Sequence, residues 1–253
     1  MSNLNQFSRG LIASLFIVMA GATGWAVPVH AQPADVDPQA TKLLRNMTDY
    51  LAGQKQFSAD THSTIEIVLT SGQKLQFDNT VTMSLQRPNK FYAKRVGDLI
   101  DQVFYYDGKS LTLHNPSQKY YATVAAPGTL EEMLDFARVK LDIIAPGGDF
   151  LYKNAYEILM QDVTNGFVVG KGVVEGVRCD HLAFHAPHVD WQIWIEEGSQ
   201  PLPRKIVITT LDVVNAPQFS VVITKWNLAP NLTDSTFRFT PPNDAKKVDF
   251  LPL

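Results

Sequence analysis

Residues Leu75 to Gln86 carry the strictest constraint in the chain. Leu75, Phe77, Val81, Met83 and Leu85 fall on one side of a two-residue period, and Gln76, Asp78, Thr80, Thr82, Ser84 and Gln86 on the other. A strand places successive side chains on opposite faces and satisfies this pattern; a helix does not. The stretch is therefore a β-strand with one apolar and one wet face, as in an antiparallel sheet. One strand is not stable alone, so the flanking sequence must supply neighbours.

It does so on both sides. From Thr61 onward Ile65, Ile67 and Leu69 alternate with Thr64, Glu66 and Val68, and Ser71-Gly72 turns the chain. After Arg87-Pro88-Asn89, residues Phe91 to Val96 return, then Ile100 to Tyr106. Asp107-Gly108 is a hairpin signal. Leu111 and Leu113 carry the next strand, Asn115-Pro116 stops it, and Lys119 to Val124 completes a meander. The last third repeats the theme in Phe167–Val174, Val177–His185, Trp191–Ile195, Lys205–Leu211 and Phe219–Trp226, with turns at Glu197-Gly198 and Asn215-Ala216-Pro217. About eleven strands are expected in all.

Helical spacing occurs in blocks between these runs. Asp37-Pro38 opens a helix as N-cap and first-turn proline. Leu43, Leu44, Met47, Tyr50 and Leu51 form its apolar face, and Gly53 ends it. Thr129 to Glu132 reads as a capping box. Leu130, Met133, Leu134, Ala137, Leu141 and Ile144 follow on one face until Pro146-Gly147-Gly148. A third helix is expected over Phe150 to Met160, with Asp149 positioned to cap it. Helices segregated from strands point to a mainly β, α+β architecture. So many strands cannot stay flat, so the expected form is a strongly curled antiparallel half-barrel with helices on its concave side, enclosing a packed core or an apolar cavity.

The N-terminus reads as an export signal. Arg9 precedes the apolar run Leu11–Ala22, too short to span a bilayer comfortably, and Val29-His30-Ala31 offers a cleavage site after Ala31. Residues 1–31 are thus a signal peptide, and 32–253 a single domain in the periplasm; a retained N-terminal anchor is the alternative. No internal repeat or low-complexity tract divides the remainder. The single cysteine, Cys179, has no internal disulfide partner and is expected to be buried in a strand. A net charge of −3 supplies no basic footprint for nucleic acid, and a monomer is expected.

The chain's reactive side chains crowd into Gly176–Thr210. Cys179, His181, His185, His188 and Asp190 suit a transition metal by type. In a strand, however, His181 and His185 stand roughly 13 Å apart, too far for two bonds of about 2 Å to one ion. A metal site is therefore not expected, nor is a cofactor. No Gly-x-Ser-x-Gly elbow is present. Glu131/Glu132 and Glu196/Glu197 read as solvated helix and turn ends. A hydrolase or metal-dependent enzyme using His181, His185 and His188 is the catalytic alternative, and no catalytic residue is assigned. The stronger signal is apolar: Phe77, Met83, Phe91, Phe104, Phe184 and Trp191, with Trp226, stand on one face of successive strands. They line a ligand cavity or fill a core, and periodicity alone does not choose. Trp191 and Trp194 must take opposite faces.

Two groups of residues resemble a known family. Asp107-Gly108-Lys109-Ser110-Leu111-Thr112-Leu113, Asn115-Pro116 and Lys119-Tyr120-Tyr121 are similar to one signature of the DUF2092 predicted periplasmic proteins. Gly176–Leu182, Asp190–Ile195, Gly198 and Pro201-Leu202-Pro203-Arg204-Lys205 are similar to a second. That family resembles the LolA/LolB/LppX lipoprotein-carrier superfamily, and Phe237-x-Phe239-x-Pro241-Pro242 resembles the C-terminal strand ending of those carriers. The resemblance implies an incomplete curled barrel of about eleven strands whose apolar cavity binds or carries a lipid or a lipid-modified protein, without catalysis. The implied partners are acyl chains or a lipoprotein. An envelope protein-interaction or stress-sensing module on the same scaffold is the rival binding function.

Overall fold

The computed structural model describes residues 35–143 and 145–250. The signal peptide, its cleavage after Ala31 and the place of Ile144 lie outside the described residues. The elements run in order β1 (Asp35–Val36), α1 (Pro38–Ala52), β2 (Gln56–Val68), β3 (Lys74–Gln86), β4 (Lys90–Gly97), β5 (Asp101–Tyr106), β6 (Ser110–Asn115) and β7 (Tyr120–Ala125). Then come α2 (Leu130–Leu141), a 3-10 turn (Gly148–Leu151), α3 (Ala155–Met160), β8 (Asn165–Val174), β9 (Val177–Ala186), β10 (Val189–Glu196), β11 (Pro203–Thr210), β12 (Gln218–Asn227), α4 (Asp234–Phe237) and β13 (Lys246–Lys247).

Thirteen strands form one sheet in the order β1-β8-β9-β10-β11-β12-β2-β3-β4-β5-β6-β7-β13. The expected count of about eleven is corrected by β1 and β13, two-residue strands that pair in parallel with β8 and β7 at the sheet's two ends. Such short pieces have no periodicity to detect. Every other pairing is antiparallel. The sheet does not close among the described residues. Two meanders, β2–β7 and β8–β12, join along a single seam between β12 and β2.

Local chemistry sets the turns. At Asp107-Gly108 the Asp107 carboxylate accepts from the Ser110 backbone N–H at 2.9 Å. Gly108 takes φ +92°, where a side chain would strike Asn89. α1 begins at the Asp37 cap, whose side chain accepts from the Gln39 N–H, and ends at Gly53. Leu44, Met47 and Leu51 are inaccessible on its inner face and share a core with Phe57, Leu85, Tyr106, Leu182 and Ile193. α2 has the full Thr129/Glu132 capping box. Its first N–H, of Leu130, donates to the Pro88 carbonyl at 2.9 Å, which ties the helix to the β3–β4 turn.

Two expectations about regular structure are corrected. The helix expected over Phe150–Met160 is broken: Tyr152 is extended, so a 3-10 turn and the six-residue α3 replace it. The Asp149 carboxylate sits inside that 3-10 turn and does not cap it. The tail around Phe237–Pro242 is no strand. A helical turn, α4, buries Phe237, and Phe239 packs on Tyr105, His114 and Tyr121.

Candidate functional site: an apolar cavity inside the curled sheet

The inner face of the sheet borders a partly open cavity of about 850 Å³. Its wall is built strand by strand from the two-residue period. β2 contributes Thr61, Ser63, Ile65 and Ile67; β3 contributes Phe77, Asn79, Val81 and Met83; β4 contributes Phe91, Ala93 and Arg95. Phe104 of β5, Leu111 of β6, Phe219, Val221, Ile223 and Trp226 of β12, and Pro203 and Ile206 of β11 complete it. Seven neighbouring strands thus reach one space. Laid flat they would span roughly 29 Å at the usual strand spacing, so the sheet must curl around it. Met133, Leu134, Ala137 and the segment from Asp142 to Tyr152, Ile144 apart, roof the cavity.

A bulge places one of the wall's aromatics. The β12–β2 register shifts between Ile223 and Lys225. Strict alternation would turn Trp226 to the face opposite Ile223; the extra residue returns it to the inside. There Trp226 meets Phe57 edge to face at 5.4 Å and donates from Nε1 to the Pro203 carbonyl at 2.9 Å.

Of the six side chains expected on the cavity, Phe77, Met83, Phe91 and Phe104 line it. Phe184 and Trp191 do not, and this part of the expectation is corrected. They stack on each other at 4.2 Å and 18° within the buried core, and a Cβ at Gly166 would lie 2.5 Å from the Phe184 ring. Their inward orientation was legible, but α1 contacts β8 and β10 at this end of the sheet and fills the space that the other strands leave open.

Trp191 and Trp194 take opposite faces. Trp191 is buried, whereas Trp194 lies on the outer face under His181, stacked at 3.9 Å and 10°, with Lys205 Nζ 4.9 Å from its ring. The three histidines go to three partners: His181 to Gln192 at 3.0 Å, His185 to Asp190, and His188 to Asp212 at 2.8 Å. No cluster of three metal-ligating side chains occurs among the described residues. Cys179 is fully buried, and burial pushes its thiol pKa up, away from nucleophilic chemistry.

Sequence reasoning missed the polar residues inside the wall. Ser63 Oγ donates to Asn79 Oδ1 at 2.9 Å across the β2–β3 pair. Arg95 stands on the same inner face of β4 as Phe91 and Ala93. Burial holds its guanidinium below the usual arginine range. The detectable signal was a break in pattern: Asn79 occupies an apolar-face position between Phe77 and Val81.

A single large sheet, antiparallel but for its two short end strands and not closed among the described residues, with helices over a mostly apolar space, defines a class of cavity-bearing β-proteins. Within that class, the chain belongs to the DUF2092 family, described as predicted periplasmic proteins, whose match spans residues 40–251. No curated protein matches it. Similar solved structures include an uncharacterized conserved protein from Thermus thermophilus, 11% identical, with TM-score 0.47, covering 83% of this chain and 99% of that one. Lipoprotein LppX from Mycobacterium tuberculosis is 14% identical, with TM-score 0.46 and coverage of 78% and 100%. LprF from Mycobacterium bovis is 15% identical, with TM-score 0.44 and coverage of 83% and 98%.

Proposed function

We propose that this protein binds or carries an acyl-chain ligand, a lipid or the lipid anchor of a modified protein, in the periplasm and without catalysis. The reading takes residues 32–253 as one domain released by cleavage after Ala31. The observation that carries it is the apolar cavity of about 850 Å³. At ~30 Å³ for a water-sized unit, this is room for roughly 28 methylene-sized groups, or about two acyl chains of ordinary length. Phe77, Met83, Phe91 and Phe104 are the proposed contacts, together with Val81, Ile223 and Trp226.

The energetics support such a ligand. Burial is worth about 0.8 kcal/mol per methylene, so a chain of ~14 carbons gains roughly 11 kcal/mol before costs. Association and ordering oppose this with several kcal/mol. A net favourable balance needs no reacting side chain, which is consistent with His181, His185 and His188 each engaging a partner outside the cavity. Native mass spectrometry of the mature protein, followed by solvent extraction, tests the proposal. The expected result is a co-purifying acyl lipid near one ligand per protein. Protein that purifies empty and takes up no lipid from vesicles refutes it.

A further inference from the structure

The two ends of the sheet are finished differently. At one end β13 runs beside Tyr120 and Tyr121 of β7 and places Lys246 and Lys247 on the flank. β7 itself carries none of the exposed large apolar side chains among the described residues. Lysines on an edge discourage pairing with other chains. At the other end β1 covers only Asn165 and Gly166 of β8. From Phe167 to Val174 the second edge of β8 has no strand beside it among the described residues. Phe167, Val169 and Val173 stand on this bare stretch and are 50%, 49% and 68% exposed.

The guard on this edge is turned away. Lys171 is the one charged side chain of the stretch. Its Nζ reaches back over the sheet to Asp180 Oδ1 and Glu197 Oε1, each at 2.6 Å, and Arg178 joins Glu197 at 3.3 Å. What the edge offers is a row of backbone N–H and C=O groups flanked by apolar side chains. Such a row is a template for an added strand: main-chain hydrogen bonds give affinity and alternate side chains give selectivity. An acyl chain has no groups to pair with it. β1 shows that this same edge accepts a strand. The Asp37 N–H donates to the Gly166 carbonyl at 2.8 Å just before the chain leaves for α1, and the bare stretch begins there.

A second copy of the chain fits poorly. The β8–β9 register shifts between Val168 and Gly170. Phe167 pairs with Ala183 and points outward; past the shift Gly170, Gly172 and Val174 point outward, opposite His181, Cys179 and Val177. Outward positions are thus odd-numbered before the shift and even-numbered after it. Opposite residues of an antiparallel pair share a face, so no register of two copies matches along the whole edge. A segment of different sequence is free of that constraint.

We infer that residues Phe167 to Val174 bind an extended segment of a different protein, which joins the sheet as a strand beside β8 and sets large apolar side chains against Phe167, Val169 and Val173. β8 contributes nothing to the cavity lining, so this site is independent of the acyl-ligand reading.

The test places a photo-reactive phenylalanine analogue in the full chain, in its own cells, in place of Phe167 or Val173. Val214, an apolar turn residue that is 77% exposed, is the control position. Irradiation and mass spectrometry are expected to join both edge positions, and not Val214, to one short segment of a single other protein. That segment is then made as a fluorescent peptide and titrated with purified mature protein. Two further peptides carry methyl groups on one or the other alternate set of backbone nitrogens. The set that faces β8 is expected to lose at least about tenfold in affinity, from two or more lost hydrogen bonds, and the other to stay within about threefold. Joint Val169→Lys and Val173→Lys substitution is expected to weaken the unmodified peptide about tenfold at an unchanged urea midpoint. Edge cross-links no more frequent than those from Val214, or cross-links to a second copy of the chain or to lipid, overturn the inference. Equal affinity of the two methylated peptides also overturns it, as does undiminished binding by the folded double variant.

Discussion

Truncating two phenylalanines on the same face of the same sheet should have different costs, because one borders empty space and the other does not. Phe184 is 3% exposed, stacked on Trp191 and pressed against Gly166. Phe184→Ala leaves a void that rigid neighbours cannot fill, at about 3–5 kcal/mol, toward the upper end because the aromatic pair is lost as well. Phe77 projects from β3 into the cavity and is only partly buried. Phe77→Ala merely enlarges an existing space and gives up part of one side chain's transfer energy, about 1–1.5 kcal/mol. Urea unfolding of delipidated protein, followed by tryptophan fluorescence and far-UV circular dichroism together, measures both. With an m value of ~2–3 kcal/mol/M, the midpoint should fall by about 1–2 M for Phe184→Ala and by about 0.5 M for Phe77→Ala at unchanged m. Equal shifts would show that Phe77 packs as tightly as Phe184. The cavity would then be a filled core, and the reasoning that leads from it to a ligand would fail.

Arg87 should act as a staple: only 8% of its side chain is exposed, and it donates to Glu131 at 3.2 Å and to the Leu151 carbonyl at 2.8 Å. Arg87→Ala uncouples the β3–β4 turn from the cavity roof and should cost about 3 kcal/mol, read as a urea midpoint shift larger than that of Arg138→Ala, an exposed control. His181 should make the protein acid-sensitive. Burial lowers its imidazole pKa from 6.5, with Lys205 adding to that and the Gln192 hydrogen bond opposing it. The unfolded chain therefore takes up the proton first. The contribution of neutral His181 is intact above about pH 6.5 and is lost as pH falls from there toward the lowered folded value. His181→Phe keeps the stack on Trp194 and should lose less stability than wild type between about pH 7.5 and pH 5; a parallel decline in both proteins would contradict this.

The strands, their turns and two helix caps were legible because each has a strong local cause. Asp37-Pro38, Thr129 with Glu132, and Asp107-Gly108 act within four residues of themselves. What escaped was set by distant parts of the chain. β2 begins at Gln56, not at Thr61, because its early inward positions after Phe57 are Ala59, Thr61 and Ser63, too small or polar to mark an apolar face. Two of these positions, Thr61 and Ser63, line the cavity. Phe184 and Trp191 have the same alternation as Phe77 and Phe91. What separates them is α1, more than a hundred residues away in sequence, which fills one end of the curl and not the other. Tyr152 breaks the third helix where its hydroxyl reaches Asp135 at 2.9 Å, a contact that helical spacing does not report.

The seam between β12 and β2 governs when the binding space comes into being. Its register sets Phe219 against Ile65, Val221 against Ser63 and Ile223 against Thr61. These partners are separated by more than 150 residues, so pairing must close a very long loop, at an entropic cost that grows only slowly with length but delays the step. Each meander zips from neighbouring hairpins and needs nothing from the other. The cavity has no such autonomy, because its wall takes β11 and β12 from one meander and β2 to β6 from the other, joined across that seam. A chain emerging from its N-terminus can thus complete β2–β7 while no interior yet exists to capture an acyl chain. Binding competence arrives with the last long strand, so a protein truncated before Gln218 loses the cavity as a whole, however well its first meander folds.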